Sequence, residues 1–534
     1  MKQFSQIKLI ALISLGCVFP FLANANTLFN QDAVDQYYLE REGEPIWVKN
    51  TRLSGDAKDL IEVLEGAWMN GLNPYKYHLE QIHSISADLR KSEPDERTML
   101  ELLLTDSYAE YFRDLSGMRV NASQIGLNAN HWNKRVPAQK ALSYLEKNRD
   151  DIDDFMHSLE PQTQSYKTLK AELTKLVEEG ADSKVQVRFG ETARPGRGYD
   201  DIPKLRERLG LEGVTNENRY KYDDTLVAAV QKFQNEHGLK PDGLIGKQTL
   251  FALNQNSDQK IKQIIVNMER LRWTPEIKPN RFIVVNIPSY TLWAIENGEV
   301  AFEMPVVVGR KKRETLSFVT EVHGVRFNPT WTVPKTIKKE DILPKLQEDP
   351  EYLAGKGMEL YEGVGKDAIT LDPTVVDWEN VTQEDLAGFR MVQGSGANNP
   401  LGRIRVLMPN SHNIYLHDTN DKSLFARTDR AQSSGCIRMK NPEKIAQFIL
   451  KTKSGWNDEK TLNVLNKGKM VDIYTNEKMP VYLLYNTAWL GSKGQVVYSS
   501  DIYGHDKELF QLLEKLDETP FFSDNKSKVR VVSQ

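Results

Sequence analysis

From about Asp56 to Leu176 the apolar residues recur every three or four positions, as in Leu60, Leu64 and Trp68 and again in Leu104, Tyr108, Tyr111 and Phe112. That spacing puts them on one face of successive helices. No catalytic constellation stands out on this stretch, so residues 26–190 read as a helical scaffold. After Arg281 the period changes to that of strands. "FIVVNI", "TLWAI" and "VAFEMPVVVG" are rich in β-formers, and Asn297-Gly298 separates the last two. A tight hairpin turn needs positive φ at both central residues, which this dipeptide supplies. A mainly β domain is therefore expected over 280–476. Its pattern is broken at 334–389 by the charged, helical "TIKKEDILPKLQEDPEYLAGKGMELY". This predicts an inserted helical lid subdomain, or equally a decoration that does not move. The remainder, 477–534, with the strand-like "VYLLYNTAWL", reads as a C-terminal extension of the main sheet.

Between scaffold and β domain, "GETARPGRG" (190–198) is a linker and 198–256 a small module of helices. Asp223 and Asp224 can cap a helix whose apolar face is Leu226, Val230 and Phe233, and Gly238 can end it. Pro241-Asp242-Gly243 then forms a turn before a short helix with Leu250 and Leu253. The stretch "AVQKFQNEHGLKPDGLIGKQTLFALN" resembles the second half of the peptidoglycan-binding domain of wall enzymes, with Phe233-Gln234, Asp242-Gly243 and Thr249-Leu250 in matching places. A three-helix packing unit with no ligand would look the same, because a fold likeness is not a binding site.

At 534 residues the chain holds about three domains, each with ordinary apolar and charged content. Its start changes the picture. Lys2 and Lys8, the apolar run Leu9–Leu22 and the small-x-small Ala23-Asn24-Ala25 predict a signal peptide over 1–25 and an exported protein. The run is short of the ~20 residues that span a bilayer. A retained anchor, and with it membrane association, is the alternative; lipid attachment at Cys17 suits the sequence less, since apolar residues continue beyond it. Removing a leader with two lysines moves the net charge from -4 to about -6, and no basic stripe at helical spacing is present, so the sequence gives no support to nucleic-acid binding.

The leader also takes one of the two cysteines with it. Cys436 is then a lone thiol in "AQSSGCIRMK" (431–440), beside Ser433, Ser434, Gly435 and Arg438, which is not core composition. A lone cysteine in an oxidising compartment is either paired between molecules or reactive. In "NIYLHDT" (413–419) Ile414 and Leu416 alternate with Tyr415 and His417, so a strand frees the last two from the core. A thiol near its reference pKa of ~8.5 is only a few per cent ionised at neutral pH and needs a base. His417 is the candidate, with a backbone carbonyl as its orienter, because Asp418 would point to the opposite face. The main-chain N–H groups of Gly435 and Cys436 are candidate oxyanion donors. Arg438, two residues on, lies on the side of Cys436 and suits a substrate carboxylate. His412, His417, Asp418 and Cys436 are ligand types, yet no spacing resembles a zinc signature, and no metal or cofactor is expected.

"HDT" and "SSGCIR" together resemble the His-x₁₈-Cys signature of the L,D-transpeptidases. Leader, helical scaffold, peptidoglycan-binding module and interrupted catalytic domain are similar in order to the large Gram-negative periplasmic members. The resemblance implies a multidomain α+β protein with a mainly β catalytic domain. It implies action on peptidoglycan stem peptides and glycan in the periplasm, beside other wall-synthesis enzymes or without them. It implies that Cys436 forms a thioester with diaminopimelate of a donor tetrapeptide, releasing D-alanine, and that a second diaminopimelate amine resolves it. His417 would serve as base and then acid. Arg438, Tyr415 and Ser434 would line the donor site, and carbapenems would acylate the thiol. Many members carry histidine where this chain has Ser434, so no second imidazole is available there. A hydrolase using the same thioester, either an L,D-carboxypeptidase or an amidase, and a non-catalytic wall-binding scaffold are the competing readings.

Overall fold

The periodic stretch before residue 180 folds as helices α1 (Gln31–Glu40), α2 (Gly55–Glu65), α3 (Pro94–Ser116) and α4 (Gln164–Glu179). The computed structural model describes residues 28–180, 185–212, 215–277, 279–363, 365–382 and 384–517. The leader, with Cys17, and residues 518–534 of the C-terminal extension lie outside the described residues. Pro94 opens α3 inside a reciprocal Glu93/Glu96 capping box. Leu60, Leu64, Leu104, Tyr108, Tyr111 and Phe112 are buried as their spacing predicts. Trp68 departs from it: α2 ends at Glu65, the chain tightens to a 3₁₀ turn over Gly66–Asn70, and the indole is only half-buried. Helix α3 also buries acids that no apolar pattern would place inside. The Glu101 carboxylate accepts from the backbone N–H groups of Ile46, Trp47 and Val48 at 2.5 to 3.1 Å, and Asp106 from those of Phe29 and Asn30 at 2.8 and 2.9 Å. These carboxylates satisfy buried donors of irregular chain, and that role holds them in the core.

The module is three helices, α5 (Ile202–Arg208), α6 (Asp224–Glu236) and α7 (Lys247–Asn254). Asp223 caps α6 by accepting from Leu226 N at 3.0 Å. The residues that carried the module's resemblance brace it from inside. The buried Gln234 amide donates to Asp242 Oδ1, Leu244 O and Thr249 Oγ1 and accepts from Gly243 N at 2.9 Å. They hold the Asp242-Gly243 turn against the two helices and are not themselves a surface for ligand.

Helix α8 (Ser257–Trp273) joins the parts. On one side it packs on α4, its Arg272 donates to Asn70 O at 2.7 Å and its Glu269 accepts from Arg119 N at 2.9 Å. On the other, Gln263 donates to Thr487 O and Ser499 O, and Arg270 pairs with Asp506 at 2.6 Å. An amphipathic scaffold helix would show one apolar stripe, whereas this one is buried on all sides from Gln263 to Arg270, between two domains.

The β domain consists of β1 (Arg281–Asn286), β2 (Thr291–Glu296), β3 (Glu299–Gly309) and β4 (Phe318–Phe327), followed by the insertion. Asn297 and Gly298, at φ 54° and 82°, make the predicted β2–β3 hairpin turn. The insertion corrects the sequence reading. It holds helical turns, among them α9 (Leu343–Glu348), but these pack on a four-stranded antiparallel sheet of β5 (Trp331–Thr332), β6 (Met358–Glu362), β7 (Ile369–Leu371) and β8 (Phe389–Gln393), in the order β5-β8-β6-β7. The sheet begins at Trp331 and ends at Gln393, outside the expected 334–389, because its first and last strands pair with each other. Trp331, Leu346, Leu360, Trp378 and Met391 fill its own small core.

The main sheet continues through β9 (Ile404–Leu407), β10 (Leu416–His417), β11 (Ala431–Ser433) and β12 (Ile437–Met439), then helix α10 (Pro442–Leu450) and β13 (Val471–Leu484). Nine strands run in the order β11-β3-β12-β10-β9-β4-β13-β1-β2, and β2 also pairs with β3, which closes the circuit. Ile445, Phe448 and Ile449 of α10 face the core, as expected. Strand β13 pairs antiparallel with β4 and parallel with β1, so the 476/477 boundary falls inside a strand. The chain then adds a hairpin, β14 (Ala488–Leu490) and β15 (Val496–Tyr498), and helix α11 (His505–Asp517). Among the described residues no helix is long and apolar enough to cross a membrane.

Candidate active site

Strands β10 and β12 lie side by side in parallel, with Leu416 opposite Ile437 and His417 opposite Arg438. On β10's other edge β9 runs antiparallel and sets Arg405 opposite His417. Partners in a ladder point to the same face. Arg405, His417 and Arg438 thus form one row across three strands. Two residues back along β10 and β12 come Tyr415 and Cys436, and the Ile437 N–H donates to Tyr415 O at 3.0 Å. Ile414, Leu416, Ile437 and Met439 take the opposite face, in the main core. The alternation expected from "NIYLHDT" and "GCIRM" supplies four of these five polar side chains, and the β9–β10 pairing adds Arg405.

The Tyr415 hydroxyl hydrogen-bonds the Cys436 sulfur, and its ring lies 5.6 Å from that of His417 between centroids. Arg405 stacks its guanidinium 3.9 Å from the Tyr415 ring centroid, within cation–π range. The Cys436 thiol donates to Asn413 O at 3.6 Å. His417 is 4% exposed, and its Nδ1 makes no hydrogen bond of good geometry. Thiol and imidazole are diagonal neighbours across the parallel β10–β12 pair, and among the described residues no hydrogen bond joins them. Asp418, on the far side, accepts from Arg403 N at 2.8 Å and Thr419 N at 2.7 Å and takes the Lys422 ammonium, so its carboxylate is spent on the loop.

One expectation changes at the turn. Gly435 has φ 111°, a conformation that suits glycine alone, and its carbonyl accepts from Thr315 Oγ1 at 2.7 Å. Its N–H, however, donates to Ser433 Oγ at 3.1 Å, and that hydroxyl donates to Cys436 O at 2.6 Å. The Ser433 hydroxyl therefore closes the turn with the donor expected for an oxyanion. Cys436 N–H has no acceptor among the described residues. Ser434 is exposed, and its hydroxyl accepts from Arg313 Nη1 at 3.0 Å. Arg313 was not read from the sequence. It also donates to Glu340 and Asp341 of the insertion at 2.5 Å each, tying that subdomain to the cysteine turn. Tyr415 packs against both the main core and the insertion's core, which places the insertion over this face.

Burial pushes the Cys436 thiol up, with the Tyr415 hydrogen bonds and the Arg405 and Arg438 charges pulling the other way. Burial, then Arg438, pushes His417 down to about 3, with Arg405 and Lys422 adding to this and the Asp418 backbone opposing it. The free site thus holds a neutral thiol beside a neutral imidazole. A consequence for pH follows. The rate of alkylation of Cys436 by iodoacetamide should show no inflection near pH 6.5 and should still climb above pH ~8.5, where an ordinary thiol levels off. A plateau by pH 7 would show a resting thiolate instead. Among the described residues no group of three or more His, Cys, Asp or Glu is placed to hold a metal ion.

Helical scaffold, three-helix module and a closed β domain with a polar cluster on one sheet face define a modular α+β protein. Residues 280–481 match the "L,D-transpeptidase catalytic domain", 32–173 a "Scaffold domain" and 200–253 a "Putative peptidoglycan binding domain". Residues 280–481 are thus similar to the catalytic domain of the L,D-transpeptidases, beside a module similar to a peptidoglycan-binding domain. A relative from Haemophilus influenzae, named "Putative L,D-transpeptidase", is 34% identical over 260 residues, 49% of this chain and 51% of its own. The chain thus spans about half the length of that curated relative. Solved L,D-transpeptidases from Stackebrandtia nassauensis and Xylanimonas cellulosilytica are each 14% identical. The first covers 57% of this chain and 98% of its own at a TM-score of 0.21, the second 56% and 100% at 0.17, overlaps too loose to support an inference.

Proposed function

We propose that this protein is an exported peptidoglycan L,D-transpeptidase that joins two diaminopimelate residues through a thioester on Cys436. The observation that supports the reading is the single sheet face on which thiol, phenol, imidazole and guanidinium meet under the insertion, in a domain similar to the catalytic domain of that family. The sulfur attacks the carbonyl of diaminopimelate in a donor tetrapeptide as its proton passes to His417. The carbonyl oxygen takes up the electron pair near the Cys436 N–H. Collapse re-forms the carbonyl and breaks the C–N bond to D-alanine, whose nitrogen receives the proton from His417. The side-chain amine of a second diaminopimelate then attacks the thioester, loses a proton to His417, and the thiol is regenerated. Arg438 grips a donor carboxylate. The insertion, latched through Arg313, shields the thioester from water, which would otherwise divert it to hydrolysis. The module holds glycan nearby.

Incubating protein 26–534 with disaccharide tetrapeptide and reading the products by mass spectrometry tests this. A dimer that has lost one D-alanine is the expected product. Trimmed monomer alone would assign a carboxypeptidase, and no product, with binding to wall sacculi retained, a scaffold.

A further inference from the structure

Arg405 and Arg438 flank His417 in one cross-strand row, and neither has a carboxylate within ion-pair distance among the described residues. Among the described residues the Arg438 side chain makes one hydrogen bond, a long one of 3.5 Å to Thr419 Oγ1. Both Nε–H groups are buried and unpartnered. The contrast with the next residue in the row is instructive: Arg326, opposite Arg405 on β4, is held by both Asp472 oxygens at 2.6 and 2.7 Å. A buried guanidinium normally finds such a partner, because an unpaired buried charge is costly. Here two half-buried guanidinium groups have no carboxylate in contact, Asp421 acting on Arg438 and Asp472 on Arg405 only from beyond ion-pair distance, and Arg405 is steadied by stacking on the same Tyr415 ring whose hydroxyl meets the sulfur.

We infer that Arg405 is a second carboxylate-binding residue, so that the Arg405–Arg438 pair selects an acyl donor with two free carboxylates near its scissile bond. Each guanidinium offers a planar fork for one carboxylate. This rests on the proposed transfer reaction and names its donor class. It also supplies something the empty site lacks. The two arginine charges oppose protonation of His417. Burial depresses His417 most and stays in place, with Lys422 a smaller contributor; a donor that neutralises both arginines lifts their share as it binds, so the imidazole becomes a stronger base when that donor is present.

The test uses four tetrapeptide donors: both carboxylates free, each one amidated in turn, and both amidated. Their dissociation constants are measured on Cys436→Ala protein, and on the same protein with Arg405→Gln or Arg438→Gln; kcat and KM are measured with Cys436 present. Loss of a charge-assisted hydrogen-bond pair should weaken the free donor about 10- to 100-fold. The expected result is that Arg405→Gln and amidation of one particular carboxylate each cost this much, while together they cost no more than either alone; Arg438→Gln should behave so with the other carboxylate. Arg405→Lys, which keeps the charge without the fork, should recover part of the loss and guards against a misfolded glutamine variant. Equal loss for all four donors on Arg405→Gln would overturn the inference and leave Arg405 a support for Tyr415. Were no donor transferred but the pairing pattern seen in binding, the transfer reaction would fall and the two-carboxylate site would stand.

Discussion

Cys436→Ala should end covalent chemistry in this protein while leaving its fold in place. Incubated with a carbapenem, the unaltered protein is expected to gain one acyl group by intact mass, and the alanine variant none. Release of D-alanine should fall to background, since removal of a nucleophile costs on the order of 10⁶ in rate where a serine counterpart has been examined. The structure gives the reason that this is a clean experiment. Cys436 sits on a turn closed by groups other than its own side chain: the Ser433 hydroxyl, the Thr315 bond to Gly435 O and the Ile437–Tyr415 backbone bond. Its sulfur is half-buried, meets the Tyr415 hydroxyl and makes one long bond to Asn413 O. Truncation to alanine therefore removes about one atom from a braced turn, and the melting midpoint should move by no more than about 1 kcal/mol of stability permits. An alanine variant that still gained the acyl group would move the nucleophile elsewhere, with the exposed Ser434 hydroxyl, beside Arg313, the first place to look.

What the sequence disclosed about this site, and what it withheld, divides along local and non-local lines. Period-two alternation in "NIYLHDT" and "GCIRM" is a local property, and it put Tyr415 and His417 on one face and Cys436 and Arg438 on another. That the two faces are the same face depends on β10 and β12 pairing in parallel at one register, which no single segment encodes. Arg405 was overlooked for the same reason: it becomes a neighbour of His417 only through the β9–β10 pairing. The Asn297-Gly298 hairpin was legible because the turn chemistry lies in two adjacent residues. The sheet inside the insertion was not, because β5 and β8 meet across more than fifty residues of mostly helical-looking sequence. Side-chain to backbone bonds were hidden too. Ser433 looked like loop composition, yet its hydroxyl takes the very N–H that an oxyanion would need.

His417→Gln is expected to slow acylation by roughly 10²- to 10⁴-fold, the usual worth of a positioned general base, and to do so in a way that separates base from bystander. Alkylation by iodoacetamide well above pH ~8.5, where the thiolate forms without help, should barely change. A structural histidine would show the opposite pattern, with both rates falling as the turn loosens. Stability carries an independent signature. The His417 pKa is down to about 3 in the folded protein because burial and the Arg438 charge disfavour the imidazolium, against about 6.5 in the unfolded chain. Below pH 6.5 the unfolded state therefore takes up the proton first. The folded protein loses stability from this group as pH falls toward 3, and the loss is complete below that. The glutamine variant has no such proton, so its melting midpoint relative to the unaltered protein should rise steadily between pH 6.5 and 3, by an amount worth up to a few kcal/mol, while above pH 7 the difference stays constant. All other titrating groups are common to both proteins and cancel in the comparison. A difference that stayed flat from pH 7 to 4 would mean that the imidazole is not held neutral. The resting pair would then be thiolate and imidazolium, and the donor would have no arginine charge to relieve before the first proton transfer.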